Sequence, residues 1–400
     1  MPFPFIISRK MMFRLTNITL ILKWFNIKIR KEEKMTRKEI TSLIILALVL
    51  LIGVYKFVTA EYEYIDSKYL NYTPNLQGKN LKTEIYVVSD KKNVEAVTQE
   101  AFDYMQQLIY KYSEDCEDSQ VYKINHSAGK KYPMDDGVYV MLEKAREMYE
   151  LTEGCFDISV KPVFDLWDFD SAERGNYDHN KLLIPDTTEV QAKLRLVDFS
   201  QIEYTQDYII LPENMKLTFG AISKGYIVDK TVEFLQERGV KAGYVDQTSS
   251  IRYFGELTQQ IKLGIQHPRD NSRIIAELTN LNNMAIATSG DYQQFFDIET
   301  KRYHHLIDAK TGYPCNRNVS VTILSTSAFD ADALSTALFL MDSDKAIDYL
   351  KGLKETEAII YTDSYDEIGQ TWEAISIKTQ KTEYSKGMEY YLYNEFIDGE

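Results

Sequence analysis

Apolar residues recur at helical spacing in three parts of the chain. Val94, Val97, Phe102, Met105, Leu108 and Ile109 predict an amphipathic helix over residues 94–112. A second is predicted over 136–152, closed by Gly154 in a C-cap role, and a third over 226–238, ended by Gly239. Residues 187–196 predict a shorter helix. Short alternating or apolar runs predict strands at 83–88, 240–245, 251–254, 261–265, 358–361 and 372–378, with a hairpin over 202–211 around Gln206-Asp207. Two further apolar runs are Met284–Ala287 and Val319–Leu324; the second leads into a helix carrying Asp330, Asp332, Ser335 and Thr336. Polar stretches separate these elements: a Tyr/Asn-rich linker at 61–79, an acidic loop and short turn at 112–125, an insertion at 170–185 and an acidic surface tail at 389–400. The pattern mixes helices and strands over residues 80–400, and the 400-residue chain is long enough for one large or two ordinary domains.

A different pattern precedes it. From Ile40 to Tyr55 the chain carries no charge, and after Lys56 the apolar character continues to Ala60. Sixteen uncharged residues fall a little short of the roughly 20 that span a bilayer, but a snorkelling Lys56 extends the stretch. Residues 1–40 hold ten Lys/Arg against three Asp/Glu. That excess predicts a cytoplasmic N-terminus, a transmembrane helix over 40–60, and the domain beyond it outside the cytoplasm. A cleaved signal segment with Val58 and Ala60 as the small-residue site is the competing expectation. Met35, followed by Thr-Arg-Lys, has the look of a conventional start, which makes residues 1–34 a candidate start-site artefact.

The overall net charge of −14 therefore understates how acidic the domain is. Such a body lacks the clustered Lys/Arg that phosphate backbones demand, so nucleic acid is not an expected partner. Three widely separated cysteines, Cys116, Cys155 and Cys315, exclude a disulfide framework and a sequence-local cysteine metal site.

Several polar clusters carry candidate chemistry. Gly220 and Gly225 predict a turn ahead of the 226–238 helix, where backbone N–H groups and the helix dipole can face an anion, and Lys224 adds a positive charge there. Taken alone, that spacing more commonly marks a simple turn. Asp332 and Thr336, four residues apart, share one helix face. Their oxygens can hold a hard cation such as Mg²⁺; the plainer reading of Asp332 is a carboxylate complementing the helix dipole. Thr288 and Ser289 read as phosphate contacts or strand-end caps. His305, beside His304, reads as a general base titrating near working pH or as a surface loop residue. Residues 154–169 are aromatic enough to be core.

Three segments within residues 284–341 point further: Ser289-Gly290-Asp291-Tyr292, then Tyr303-His304-His305-Leu306-Ile307-Asp308 with Thr311-Gly312-Tyr313-Pro314, then Ala331-Asp332-Ala333-Leu334-Ser335-Thr336-Ala337-Leu338-Phe339. In this order they resemble the motifs of the FAD:protein FMN transferase (ApbE) family. Gly220-Ala221-Ile222-Ser223-Lys224-Gly225-Tyr226-Ile227-Val228-Asp229 and the segment around Phe156-Asp157 and Trp167 extend the resemblance to residues 80–365. It implies an α+β domain of mixed or antiparallel sheets with packed helices. It also implies Mg²⁺-dependent transfer of FMN from FAD to a Ser or Thr hydroxyl of an exported flavoprotein, with release of AMP. By the same resemblance the Ala221 carbonyl, Asp332 and Thr336 would hold the metal, and Cys155, Phe156, Asp157, Thr218, Lys224, Thr288, Leu306 and Ile307 would contact the flavin nucleotide. His305 is then the candidate base, with Asp308 orienting it or joining the metal shell. The chain departs from the family at Thr218, where an Asp is usual, and at Thr248-Ser249, in place of a glycine pair. Leu81-Lys82-Thr83 stands for Met-Gly-Thr, Lys161 and Asp168 for glycines, and no lipid-anchor cysteine follows the apolar run. These changes keep open a second reading, a catalytically impaired flavin-binding or scaffold protein of the same descent.

Overall fold

Seven strands pair side by side in the order in which the chain makes them. A computed structural model describes residues 65–74, 80–90, 92–127, 129–169, 184–257, 259–362, 364–366, 369–371 and 392–395. Its main sheet contains β1 (Ile65–Pro74), β2 (Asn80–Ser89), β3 (Ala242–Gln247), β4 (Ser250–Phe254), β5 (Ala285–Gly290), β6 (Ser320–Ser325) and β7 (Glu357–Tyr361). Every neighbouring pair is antiparallel, so the sheet is a meander with its helices inserted between strands.

The strand period of two sorts side chains onto opposite faces. Ile85, Val245, Ala285, Ala287, Val321 and Ile323 join the core beneath the helices. Tyr244, Ile251, Tyr253, Ile286 and Leu324 pack in a second core with residues of the small strands Leu263–Gln266 and Ile274–Leu278. Because both faces are covered, β5 and β6 read as continuous apolar runs rather than alternating ones.

The helices are α1 (Val94–Tyr112), α2 (Gln120–Asn125), α3 (Asp136–Leu151), α4 (Lys161–Trp167), α5 (Thr187–Leu194), α6 (Ser223–Glu237), α7 (Ala328–Phe339) and α8 (Ser343–Leu350). Helices α6 and α7 cross on the sheet, with α1 against α6. Helix α7 is apolar on nearly every side and buried along almost its whole length, as expected for a core helix. A third cluster, around Trp167, Phe169, Val190 and Phe296, is tied down by Trp167 Nε1 donating to the Gly312 carbonyl at 3.0 Å. The aromatic 154–169 segment is thus mainly core.

The helices at 94–112, 136–151, 187–194 and 328–339 stand where periodicity places them, and Gly154 ends α3 with φ +89°. Four expectations change. Residues 65–74, read as linker, form an edge strand; pairing with β2 alone, it tolerates a polar sequence. Residues 120–125, read as loop, make a helix because the Ser119 side chain caps the Tyr122 N–H. Helix α6 begins at Ser223, which puts Lys224 and Gly225 inside its first turn. Leu392–Glu395, in the predicted surface tail, pairs with Ile274–Leu278. The predicted membrane helix at 40–60, most of the insertion at 170–185 and the strand at 372–378 lie outside the described residues. Among the described residues, no helix is long and apolar enough to cross a membrane.

Candidate active site

Helices α6 and α7 approach so closely that one residue between them must be glycine. A Cβ on Gly225 would lie 2.1 Å from the Ala328 carbonyl oxygen and 2.7 Å from the Asp332 Cβ. The Gly225 N–H instead donates to Asp332 Oδ2 at 2.9 Å, and Ser250 Oγ from β4 donates to Asp332 Oδ1 at 3.1 Å. Asp332 is 4 % exposed. Burial pushes its carboxyl above the usual range, opposed by Lys224 and these two hydrogen bonds. One turn on, Thr336 Oγ1 lies 3.0 Å from Ser289 Oγ of β5, which also meets Ser335 Oγ at 2.8 Å.

The ends of a buried helix leave backbone groups that water cannot reach. At the α7 N-terminus the Ser327 Oγ, Ala328 N–H and Phe329 N–H all donate to Asp229 of α6, at 2.8–3.0 Å. At the other end Asn318 Nδ2 donates to the carbonyls of Leu338, Phe339 and Met341, and Arg317 Nη1 to that of Leu340. Helix α7 is therefore locked at both ends by side chains from other elements.

These groups open on a cavity of about 860 Å³, within the upper range of small-molecule pockets. Phe156, Asp157, Thr218, Ala221, Lys224, Thr288, His305, Leu306, Ile307, Asp332 and Thr336 all line it. Eleven predicted residues spread over more than 180 positions of sequence thus share one space.

Two predicted residues do not line it. Cys155 is buried beside the cavity; its carbonyl accepts from the Ala309 N–H, and burial pushes its thiol up. Asp308 is 3 % exposed and turned into the protein, where it pairs with Arg317 Nη1 at 2.9 Å and accepts from the Lys310 N–H. Its carboxylate is thus engaged by Arg317 and does not line the cavity with His305 and Asp332.

Others line the cavity with their polar groups already occupied. Asp157 accepts from the Ser159 N–H and Oγ and from the Phe199 N–H, which makes it a clamp on its own loop. The Thr288 hydroxyl meets its cross-strand neighbour Thr322 at 2.9 Å. His304 is a core histidine: Nε2 meets the Cys315 carbonyl at 2.9 Å, Nδ1 accepts from the Leu306 N–H, and burial pushes its pKa down to about 3. His305 differs, since its ring is partly buried at the cavity wall. Its Nδ1 lies 3.3 Å from the Gln294 carbonyl, a contact in which Nδ1 is the donor.

The tip of the β3–β4 hairpin also lines the cavity. Thr248 has φ +62°, a left-handed conformation that a β-branched residue adopts at a cost of about 1–2 kcal/mol. The backbone thus keeps a glycine-like path although the residue is Thr. Beside it, burial and the nearby Glu84 push Asp246 up to about 6, and its Oδ1 is buried with no hydrogen-bond partner.

Sequence reasoning missed Asp229 as a helix cap and Ser250 and Ser289 as partners of Asp332 and Thr336. Asp229 and Ser289 lie within quoted motifs and could have been flagged for these roles; Ser250 had no local signal.

Fold and site together bring a buried carboxylate, a hydroxyl one helical turn away and a lysine to the wall of one cavity. The ApbE family model matches residues 79–360, and the chain belongs to that family. Its antiparallel α+β fold is the family's fold. A similar relative is the FAD:protein FMN transferase of Klebsiella pneumoniae (strain 342), 28% identical over 311 residues, covering 75% of this chain and 92% of that protein. The FAD:protein FMN transferase of Treponema pallidum (strain Nichols) is 27% identical over 302 residues, covering 70% and 81%. The crystal structure of the ApbE protein from Thermotoga maritima superposes with a TM-score of 0.68 at 26% identity, covering 80% of this chain and 99% of that one. The apo flavinyl transferase ApbE of Pseudomonas stutzeri gives 0.65 at 22% identity, covering 81% and 98%, a likeness of fold.

Proposed function

We propose that the chain is an FAD:protein FMN transferase, moving FMN from FAD onto a Ser or Thr hydroxyl of an exported flavoprotein and releasing AMP. The observation that carries this is the convergence of Lys224, Asp332, Thr336 and His305 on one cavity. The reaction is phosphoryl transfer at a pyrophosphate, in which catalysis is mostly positioning and charge neutralisation. The acceptor hydroxyl oxygen attacks the phosphorus on the riboflavin side. The bond from that phosphorus to the bridging oxygen breaks, and AMP leaves with that oxygen. His305 Nε2 takes the hydroxyl proton. Lys224, in the first turn of α6, offsets phosphate charge together with the helix N-terminus.

The residues present fit Mg²⁺. Asp332 is a buried carboxylate whose raised pKa marks incomplete compensation by Lys224. Among the described residues no three His, Cys, Asp or Glu side chains cluster as a metal site. An ion here would therefore rest on Asp332, the Thr336 hydroxyl, the Ala221 carbonyl and ligand phosphate, the oxygen set that suits Mg²⁺. Bound there, it would neutralise charge on the pyrophosphate. The basic 1–40 segment and the apolar stretch after it support placing the domain outside the cytoplasm, tethered at the membrane or released by cleavage.

One observation favours a second reading, a flavin-binding scaffold: Thr248 stands strained at the cavity wall where glycine would sit without cost. Titrating the purified full-length chain with FAD, with and without Mg²⁺, and assaying AMP in the same samples separates the two. A transferase binds FAD and releases AMP slowly with Mg²⁺. Binding without AMP release supports the scaffold, and no binding sinks both.

A further inference from the structure

The cavity wall nearest α1 carries a carboxyl group with no part in the chemistry above. Glu114, two residues past the end of α1, lines the cavity with 18% of its side chain exposed. Groups from two other elements hold it. Lys161 Nζ, at the start of α4, lies 3.4 Å from Glu114 Oε1; the lysine is 13% exposed, is held by Asp165, and approaches from outside the cavity lining. Thr218, from the loop before α6, hydrogen-bonds to the carboxyl group. Thr218 Oγ1 also accepts from the Gly220 N–H at 3.2 Å; toward an ionised carboxylate, which has no proton to give, the Thr218 hydroxyl is the donor.

A carboxylate has about four acceptor positions, and Lys161 and Thr218 take two. The rest are left for a ligand in a cavity whose lining also carries Lys224, beside the Gly220 carbonyl, and the α6 N-terminus. Phosphate is attracted to Lys224 and repelled by Glu114. What a carboxylate at the acidic wall can accept is a pair of adjacent hydroxyls, as acidic residues do for ribose in dinucleotide-binding folds. Burial raises the Glu114 pKa, and Lys161 and Thr218 oppose that shift.

Resting on the FAD reading above, we propose that Glu114 is a nucleotide-binding residue that accepts hydrogen bonds from polyol hydroxyls and so orients the ligand with its phosphates toward Lys224. The polyol is the ribose of the AMP half or the ribityl chain of the FMN half. The test compares FAD, FMN and AMP binding to the full-length wild type, Glu114→Gln and the double variant Glu114→Gln/Thr218→Asp, with melting curves for each. The expected result is at least a tenfold loss of FAD affinity in Glu114→Gln at unchanged melting temperature. Most of it should return in the double variant, because an acid at 218 restores the charge beside the same spot. A matching loss for AMP identifies the ribose, and one for FMN the ribityl chain. Should Glu114→Gln lower the melting temperature, the shortened but charged Glu114→Asp takes its place with a smaller expected loss. If wild type binds FAD and the position-114 variants bind it within twofold of wild type, the proposal is overturned and the FAD reading stands. Loss without recovery in the double variant also overturns it. A wild type that binds no FAD overturns the FAD reading instead.

Discussion

The crossed helices α6 and α7 and the tip of the β3–β4 hairpin face the same cavity, but they are specified in different ways. In the helix pair, buried polar groups answer one another: Gly225 N–H and Ser250 hydroxyl to Asp332, Asp229 to the first turn of α7, Asn318 to its last. Changing any of these leaves a donor or acceptor orphaned away from water, which costs about 1–3 kcal/mol. At the hairpin tip what matters is the backbone path. Thr248 follows it under strain, Ser249 beside it, and neither side chain is essential to the turn. A site can therefore lose family residues where shape is carried by backbone and keep them where burial makes each polar atom depend on another.

That contrast can be broken in four places. The largest effect should come from Gly225→Ala. A methyl group 2.1 Å from a backbone oxygen cannot be absorbed by a flexible side chain, so about 3 kcal/mol or more of stability should go, read as the denaturant midpoint. A midpoint near wild type would show that the helices can slide apart. Next is Asp332→Asn, which retains shape and leaves no partner orphaned, since the amide oxygen can accept from the Gly225 N–H while the amide N–H donates to Ser250 Oγ. We expect melting close to wild type but Mg²⁺-dependent AMP release reduced on the order of 100-fold; undiminished release would remove Asp332 from the metal site.

On the hairpin side, the pH dependence of stability tests Asp246. Its folded pKa of about 6 lies above the unfolded value, so the fold binds the proton more tightly. That contribution is fully present below about pH 4 and is lost as pH rises through about 6, by at most ~3 kcal/mol. Asp246→Asn should flatten that part of the slope, measured by urea unfolding between pH 4 and 7, and an unchanged slope would refute it. Smallest is Thr248→Gly. Releasing a β-branched residue from φ +62° should stabilise the chain by about 1 kcal/mol, with FAD affinity changed little. A loss of stability would mean that the Thr248 hydroxyl bond to the Lys82 carbonyl outweighs the strain.

Much of this protein was legible in its sequence. Helices α1, α3 and α7 and most strands follow from apolar periodicity, because that signal is local: a residue's neighbours three or two positions away decide which side it buries. The family-like segments named most of the residues that converge on the cavity for a similar reason, since each is a short segment whose chemistry travels with it. The tertiary structure decided what those segments do to one another. Asp308 and His305 are three residues apart, yet one turns inward to Arg317 while the other faces the cavity. Lys224 and Gly225 moved from a predicted loop into a helix because α6 starts where it meets α7. Asp229 reaches the α7 N-terminus, and Glu114 is held by Thr218, across about a hundred residues each. Such contacts depend on how helices stack on a sheet, and spacing along the chain does not encode that packing.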